Sequence, residues 1–294
     1  MHIIDRGTGA PLVVVPGIQG RWEYMRPAID ALAESFRVLT FPLCGERGSR
    51  RRLDPARGLD NFTDQIDAVL DDRGLARAAI CGVSFGGLIA LRFAASRPDR
   101  TAALVLVSAP GPGFRLRRRH EIYARLPRLF GPVFLAEVPG RVRAEVALAI
   151  PERPRRRRFA WQQIATFARA PLSLSRMAVR ARLIGGYDQP ADCARILAPT
   201  LVISGEPSLD RVVSAEGTSE YRRLIRNCRT VRLARTGHLG YITRPHDFAD
   251  AVRAFLSSDS EQLAVSGRER CARSDAARGS SGDAGMHTSK NDAA

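Results

Sequence analysis

Lysine is almost absent from this chain: of its 46 basic residues only Lys290 is a lysine. The positive charge is carried by arginine, a bias expected of GC-rich coding sequence. No run of 18 uninterrupted apolar residues occurs, which excludes an obvious membrane-spanning helix. Cysteine is sparse. Cys44, Cys81, Cys193, Cys228 and Cys271 are scattered, odd in number and form no C-x-x-C pair. Neither a disulfide framework nor a zinc site is expected from them. The first residues, Met1-His2-Ile3-Ile4-Asp5-Arg6, lack the basic-then-apolar layout of a secretory leader, so a cytoplasmic address is the expectation.

What is present is enough hydrophobic residue, 45% of 294, for a sizeable buried core. The net charge of +16 could suggest nucleic acid or an anionic surface. Its distribution is uneven: residues 115–182 hold 17 Arg against four Glu and no Asp. A charge run of this kind is most simply a solvated face, and no nucleic-acid motif accompanies it.

Short β-branched or apolar runs alternate with helical spacing. Strands are expected over 11–16, 36–41, 78–83, 102–107, 200–204 and 230–233. Helices are expected over 24–35, 61–73 (capped by Asp60 or Asn61), 85–96 and 248–256. Such alternation predicts an α/β fold with a mostly parallel central sheet flanked by helices. The pattern changes between 114 and 188, which is helical, Arg-rich and free of strand signals. Pro127, Pro132, Pro139, Pro151, Pro154 and Pro171 predict several short helices there. The expected organisation is a core of 1–113 and 189–256, a helical lid over 114–188, and a disordered tail over 257–294, rich in Ser, Gly, Ala and charge.

Residues Gly82-Val83-Ser84-Phe85-Gly86-Gly87 match G-x-S-x-G between an expected strand and an expected helix. A serine nucleophile must stand clear of its sheet on a tight turn, and glycine two residues to either side relieves the crowding. Serine also needs a base. Among five histidines, His238 follows the last expected strand, where an open parallel sheet gathers its active groups. His2 is terminal, His120 sits among arginines, His246 is placed to start a helix, and His287 lies in the tail. A carboxylate should orient the imidazole. Asp210, just beyond the strand 200–204, is favoured, with Glu206 in the same loop as competitor. An oxyanion needs two backbone donors. Phe85 N–H is one. Ile18 N–H, in Pro16-Gly17-Ile18-Gln19-Gly20, is the other, with Gln19 as alternative.

These residues together resemble the α/β-hydrolase fold superfamily, in its lid-bearing esterase and lactonase-like branch, over about residues 3–256. The order Ser84, Asp210, His238 is the order of that superfamily. The resemblance implies a mostly parallel sheet, an inserted helical lid, no cofactor, and a small-molecule substrate. Acyl transfer to Ser84 from a small ester or lactone, neutral or anionic, is the expected activity. The same triad serves acyltransferases, carbon–carbon bond hydrolases and cofactor-free haloperoxidases, and a non-catalytic small-molecule receptor stays open as well. In the lid, Phe114, Tyr123, Phe130, Phe134, Phe159, Trp161 and Phe167 are candidates to line an apolar pocket.

Overall fold

A computed structural model of the chain describes residues 1–213 and 215–258. The expected disordered tail lies, beyond residue 258, outside the described residues. Two compact units divide the chain, Met1–Arg253 and Ala254–Ala294. Of the second, only 254–258 are described, and they are helical.

The apolar runs become the strands of one sheet: β1 (Ile4–Arg6), β2 (Pro11–Val15), β3 (Arg37–Thr40), β4 (Ala78–Val83), β5 (Thr101–Val107), β6 (Thr200–Ser204) and β7 (Cys228–Arg232). Their order is β1-β3-β2-β4-β5-β6-β7. All pairings are parallel except β1 with β3. Every residue of β4 is buried, as a strand covered on both faces requires. Strand β7 is an edge, and its arginines Arg229 and Arg232 are exposed, which blunts that edge against further pairing. Strand β1 was not legible beforehand. It is three residues long, and the Arg6-Gly7 turn signal overlaps its end.

Helices α1 (Arg26–Leu32), α2 (Asp60–Asp72) and α3 (Phe85–Ser96) follow β2, β3 and β4. Helix α3 buries ten of its twelve residues and is apolar nearly all round, because it packs directly on the central strands. The expected cap of α2 is corrected. Leu59 takes the N-cap position without a side-chain bond. Asn61 instead closes the preceding loop, accepting from Asp54 N–H at 3.0 Å and donating to the carbonyls of Asp54 and Gly58.

Between β5 and β6 lie α4 (Arg118–Arg125), α5 (Pro127–Ala149), α6 (Arg153–Arg169), α7 (Leu174–Gly185) and α8 (Gln189–Ala194). Breaks fall near Pro127, Pro151 and Pro171, as expected. Pro132 and Pro139, however, lie inside the 23-residue α5. Each proline removes one intrahelical hydrogen bond, and packing of α5 against α4, α7 and α10 outweighs that loss. Aromatic side chains of this segment split into two groups. Tyr123 stacks on Phe130 with ring centroids 5.6 Å apart, and His120 meets Phe134 edge-on. Trp161 and Phe167, expected among pocket-lining residues, point to solvent instead. After β6 come α9 (Ala215–Leu224), α10 (Gly240–Thr243) and a last helix that begins at residue 245, three residues earlier than expected, with Pro245 in its first position.

Candidate active site

Strand β2 is the point where the chain's order reverses: β3 lies on one side of it and β4 on the other. Loops leaving the carboxyl ends of β2 and β4 therefore open a crevice rather than covering one another. Val15 pairs in register with Gly82, so the loop holding Ile18 and the turn holding Ser84 emerge side by side.

Ser84 joins β4 to α3 with φ 53° and ψ −119°, a backbone conformation that costs a non-glycine residue about 1–3 kcal/mol. The turn is clamped at both ends: Ser84 N–H donates to Val107 O at 2.8 Å, and Ser84 O accepts from Gly87 N–H at 2.8 Å. A Cβ on Gly82 would sit 2.2 Å from Gly86 O, and one on Gly86 would sit 2.4 Å from Val15 O. Those backbone approaches explain the two glycines. Ser84 itself keeps part of its surface exposed.

His238 stands in the loop between β7 and α10 and is 9% exposed. Its Nε2 lies 3.2 Å from Ser84 Oγ, and its Nδ1 lies 3.3 Å from Asp210 Oδ2. The other oxygen of Asp210 accepts from the N–H groups of Val212 and Val213, each at 2.9 Å. The acid is thus fixed by its own loop on one side and faces the imidazole on the other. Burial pushes the Asp210 carboxyl up. The hydrogen bond and charge of His238, with the two N–H donors, outweigh burial and hold it below the usual value.

Glu206, the competing acid, is occupied elsewhere. Its Oε1 accepts from Arg235 N–H at 2.6 Å, and its own N–H donates to Thr236 O at 2.7 Å. Those two bonds, together with Leu233 N–H to Ser204 O, stitch the acid-bearing loop to the histidine-bearing loop. Glu206 holds the two loops in register while Asp210 meets the histidine.

Phe85 N–H opens α3, where the first amides of a helix have no intrahelical acceptor. Opposite it, Gly20 N–H closes a turn on Gly17 O at 2.8 Å. Such a turn uses the N–H of its last residue and leaves that of its second, Ile18, unspent. The Ile18 carbonyl accepts from Arg180 Nη1 at 3.0 Å.

Arg180 and two further residues were not singled out from the sequence. Arg180, on α7, is completely buried and also donates to Cys44 O and to Glu46 Oε1. Glu46 accepts in addition from Arg176 at 3.0 Å. Glu145, on α5, is 1% exposed, and its Oε1 accepts from Leu239 N–H at 2.7 Å, directly after His238. Burial raises the Glu145 carboxyl above its usual value, although the amides of Gly237 and Leu239 and the nearby His238 act the other way. A lone Glu inside the run Ala144–Ile150 was the only sequence signal for it. Among the described residues, no group of three or more His, Cys, Asp or Glu is arranged to hold a metal ion.

A family model described as alpha/beta hydrolase fold matches residues 10–245. A protein of Pseudomonas syringae pv. syringae named "Putative carbamate hydrolase RutD" is 25% identical over 87% of this chain and 97% of its own length. A namesake from Azorhizobium caulinodans is 32% identical over 43% of this chain, and the match spans 48% of that relative. Among solved structures, the enol-lactonase of Burkholderia xenovorans LB400 superposes with a TM-score of 0.72 at 22% identity, covering 87% of this chain and 96% of that one.

Proposed function

This chain belongs to the α/β-hydrolase fold family, and on that premise we propose that it is a serine hydrolase cleaving a small ester or lactone through an acyl-enzyme. The observation that carries the reading is the line Ser84 Oγ, His238 Nε2, His238 Nδ1, Asp210 Oδ2, with successive contacts of 3.2 and 3.3 Å. His238 takes the Ser84 proton as Oγ attacks the substrate carbonyl. The amides of Phe85 and Ile18 donate to the oxyanion of the tetrahedral intermediate. On collapse of that intermediate, His238 returns the proton to the leaving alcohol. Water, deprotonated by the same imidazole, then attacks the acyl carbonyl, and as the bond to Ser84 Oγ breaks the imidazolium returns its proton to Oγ and the acid leaves. Asp210 keeps Nδ1 protonated and stabilises the imidazolium that forms in each half.

Glu145 and Arg180 act in this scheme as positioning residues. One braces the loop that bears His238, and the other fixes the peptide that follows Ile18. Both come from the helices between β5 and β6, the segment assigned here as the lid. The substrate class follows from the reaction: a carbonyl carrying a leaving group that His238 can protonate. The relatives' names add carbamates to the esters and lactones worth testing.

A fluorophosphonate probe tests the reading directly. Wild type is expected to label, and Ser84→Ala is expected to remain unlabelled while keeping its fold by circular dichroism. A folded wild type that does not react would refute an activated Ser84 and favour a non-catalytic receptor role.

A further inference from the structure

The exposed apolar surface of this protein is concentrated on its most basic segment. Of thirteen large hydrophobic side chains exposed among the described residues, nine lie between 122 and 167. Leu129 is 67% exposed and Trp161 69%. The stretch 115–182 that contains them also carries 17 Arg against four Glu. Scattered single apolar residues are ordinary, whereas this clustering marks an interaction surface.

Helix α6 shows the arrangement in detail. None of its 17 residues is buried. It contains six arginines, Arg153, Arg155, Arg156, Arg157, Arg158 and Arg169, and no acidic residue. Arg156 ties back to Ile150 O at 3.1 Å, and Arg155 reaches Glu152 only at 3.9 Å. Among the described residues no ion pair is made by Arg157 or Arg158. Trp161, Ile164 and Phe167 recur every three residues and so share one side of the helix. Arg157, four residues before Trp161, lies on that same side one turn earlier, and Arg158, three residues before it, borders the stripe beside the indole. Trp161, Ile164 and Phe167 are 69%, 57% and 45% exposed. One solvent-facing stripe is therefore basic at its N-terminal end and apolar, with an indole, towards its C-terminal end.

We infer that α6 docks on an anionic lipid surface through this stripe. The inference does not depend on the chemistry at Ser84. Charge decides among the possible occupants. A second copy docking through the same helix would bring two α6 surfaces together, neither of which carries an acidic residue. Nucleic acid would satisfy the arginines, but it offers nothing to bury Ile164 or Phe167, since its interfaces are markedly polar. A bilayer of anionic lipid satisfies both: phosphate headgroups for Arg157 and Arg158, and the acyl boundary for Trp161, Ile164 and Phe167. Guanidinium groups one turn away can remain at the headgroup level while the indole enters.

The chain has two tryptophans. Trp22 is 8% exposed and Trp161 is 69% exposed, so Trp161 reports on its own docking. The experiment is co-sedimentation of the full chain with vesicles of phosphatidylcholine alone or with added phosphatidylglycerol, together with tryptophan emission. Binding and a blue shift are expected only with phosphatidylglycerol, and both should weaken as salt rises. Arg157→Glu with Arg158→Glu should lower partitioning about tenfold or more. Ile164→Ser with Phe167→Ser, which keeps the Trp161 reporter, should lower binding at physiological salt and reduce the blue shift. Circular dichroism and thermal melting verify that each pair folds. No partitioning of wild type at low salt overturns the inference, as does partitioning indifferent to both pairs. A blue shift that appears with protein concentration alone overturns it in favour of self-association. Oligonucleotide binding in the absence of vesicle binding overturns it in favour of nucleic acid.

Discussion

Glu145 accepts a hydrogen bond at 2.7 Å from the backbone N–H of Leu239, the residue that follows His238. A carboxylate from the helices between β5 and β6 thus braces the loop bearing the proposed base. Replacing it with alanine leaves buried amides without an acceptor, at a cost of about 1–3 kcal/mol. We expect Glu145→Ala to lower kcat with little change in KM, since Glu145 touches the loop bearing the imidazole rather than the reacting serine. Glu145→Gln, which retains one carbonyl acceptor, should be milder. Steady-state kinetics with denaturant melts check both. Equal kcat in wild type and Glu145→Ala would remove the positioning role.

Asp210 and Glu206 are separable by mutation. Asp210→Asn keeps the shape of the side chain but presents the wrong partner to Nδ1, and kcat should fall by about 10³–10⁴-fold. Glu206→Gln should cost far less, because its bond is to Arg235 N–H and not to the imidazole. A larger loss in Glu206→Gln than in Asp210→Asn would reverse the assignment.

The environments of Asp210 and Glu145 predict opposite slopes of stability against pH. Asp210 has a folded pKa below its unfolded value. It binds fewer protons folded than unfolded, so its contribution is complete above about pH 4 and is lost as pH falls through the folded pKa. Glu145 has a folded pKa above its unfolded value. It binds more protons folded, so stability declines as pH rises from the usual glutamate range through the raised pKa. Thermal melts from acid to neutral pH should therefore show a shallower acid loss in Asp210→Asn. They should show a smaller decline towards neutrality in Glu145→Gln. Parallel curves for wild type and both variants would contradict the assigned environments.

Arg180 and Glu46 form an ion pair with side chains 0% and 1% exposed. Removing one member leaves a buried charge unpaired, so Glu46→Ala should cost about 3–5 kcal/mol. The double variant Glu46→Gln with Arg180→Met should recover much of that loss. Its kcat should remain low, because Ile18 O has lost its donor. Urea unfolding and kinetics on both variants separate the stability effect from the positioning effect.

Gly82→Ala is expected to be among the most damaging single changes in the chain. The added methyl would meet the backbone oxygen of Gly86 at 2.2 Å, and no side-chain motion relieves a backbone clash. A loss of about 4 kcal/mol or more is expected, with collapse of soluble expression. A Gly82→Ala variant of near-normal Tm would mean that the turn at Ser84 is less constrained than its φ of 53° implies.

Local chemistry made much of this molecule legible before any coordinates. The apolar runs at Val13–Val15 and Leu104–Val107 read as buried strands, and their alternation with helices implied parallel pairing. G-x-S-x-G was readable because its spacing is a steric requirement of one turn. The residues that escaped notice act through contacts distant in sequence. Arg180 and Ile18 are 162 positions apart, and Glu145 and Leu239 are 94 apart. Nothing local to Arg180 distinguishes it from the exposed arginines of the same segment. Pro132 and Pro139 misled for a related reason. Their intrinsic cost is local, whereas the packing that overrides it comes from α4, α7 and α10.

By itself the sequence determined the fold class and the strand-turn-helix at Ser84, because each rests on spacing over a few neighbouring residues. Tertiary structure alone decided that Asp210 rather than Glu206 faces His238. Both carboxylates share one short loop, and only the crossing of that loop with the one after β7 gives Glu206 to Arg235 and Asp210 to the imidazole. It also decided that Arg180 is buried against Glu46 while Arg157 and Arg158, among the described residues, make no ion pair. Burial is a property of the whole packed chain and is not written in any single segment.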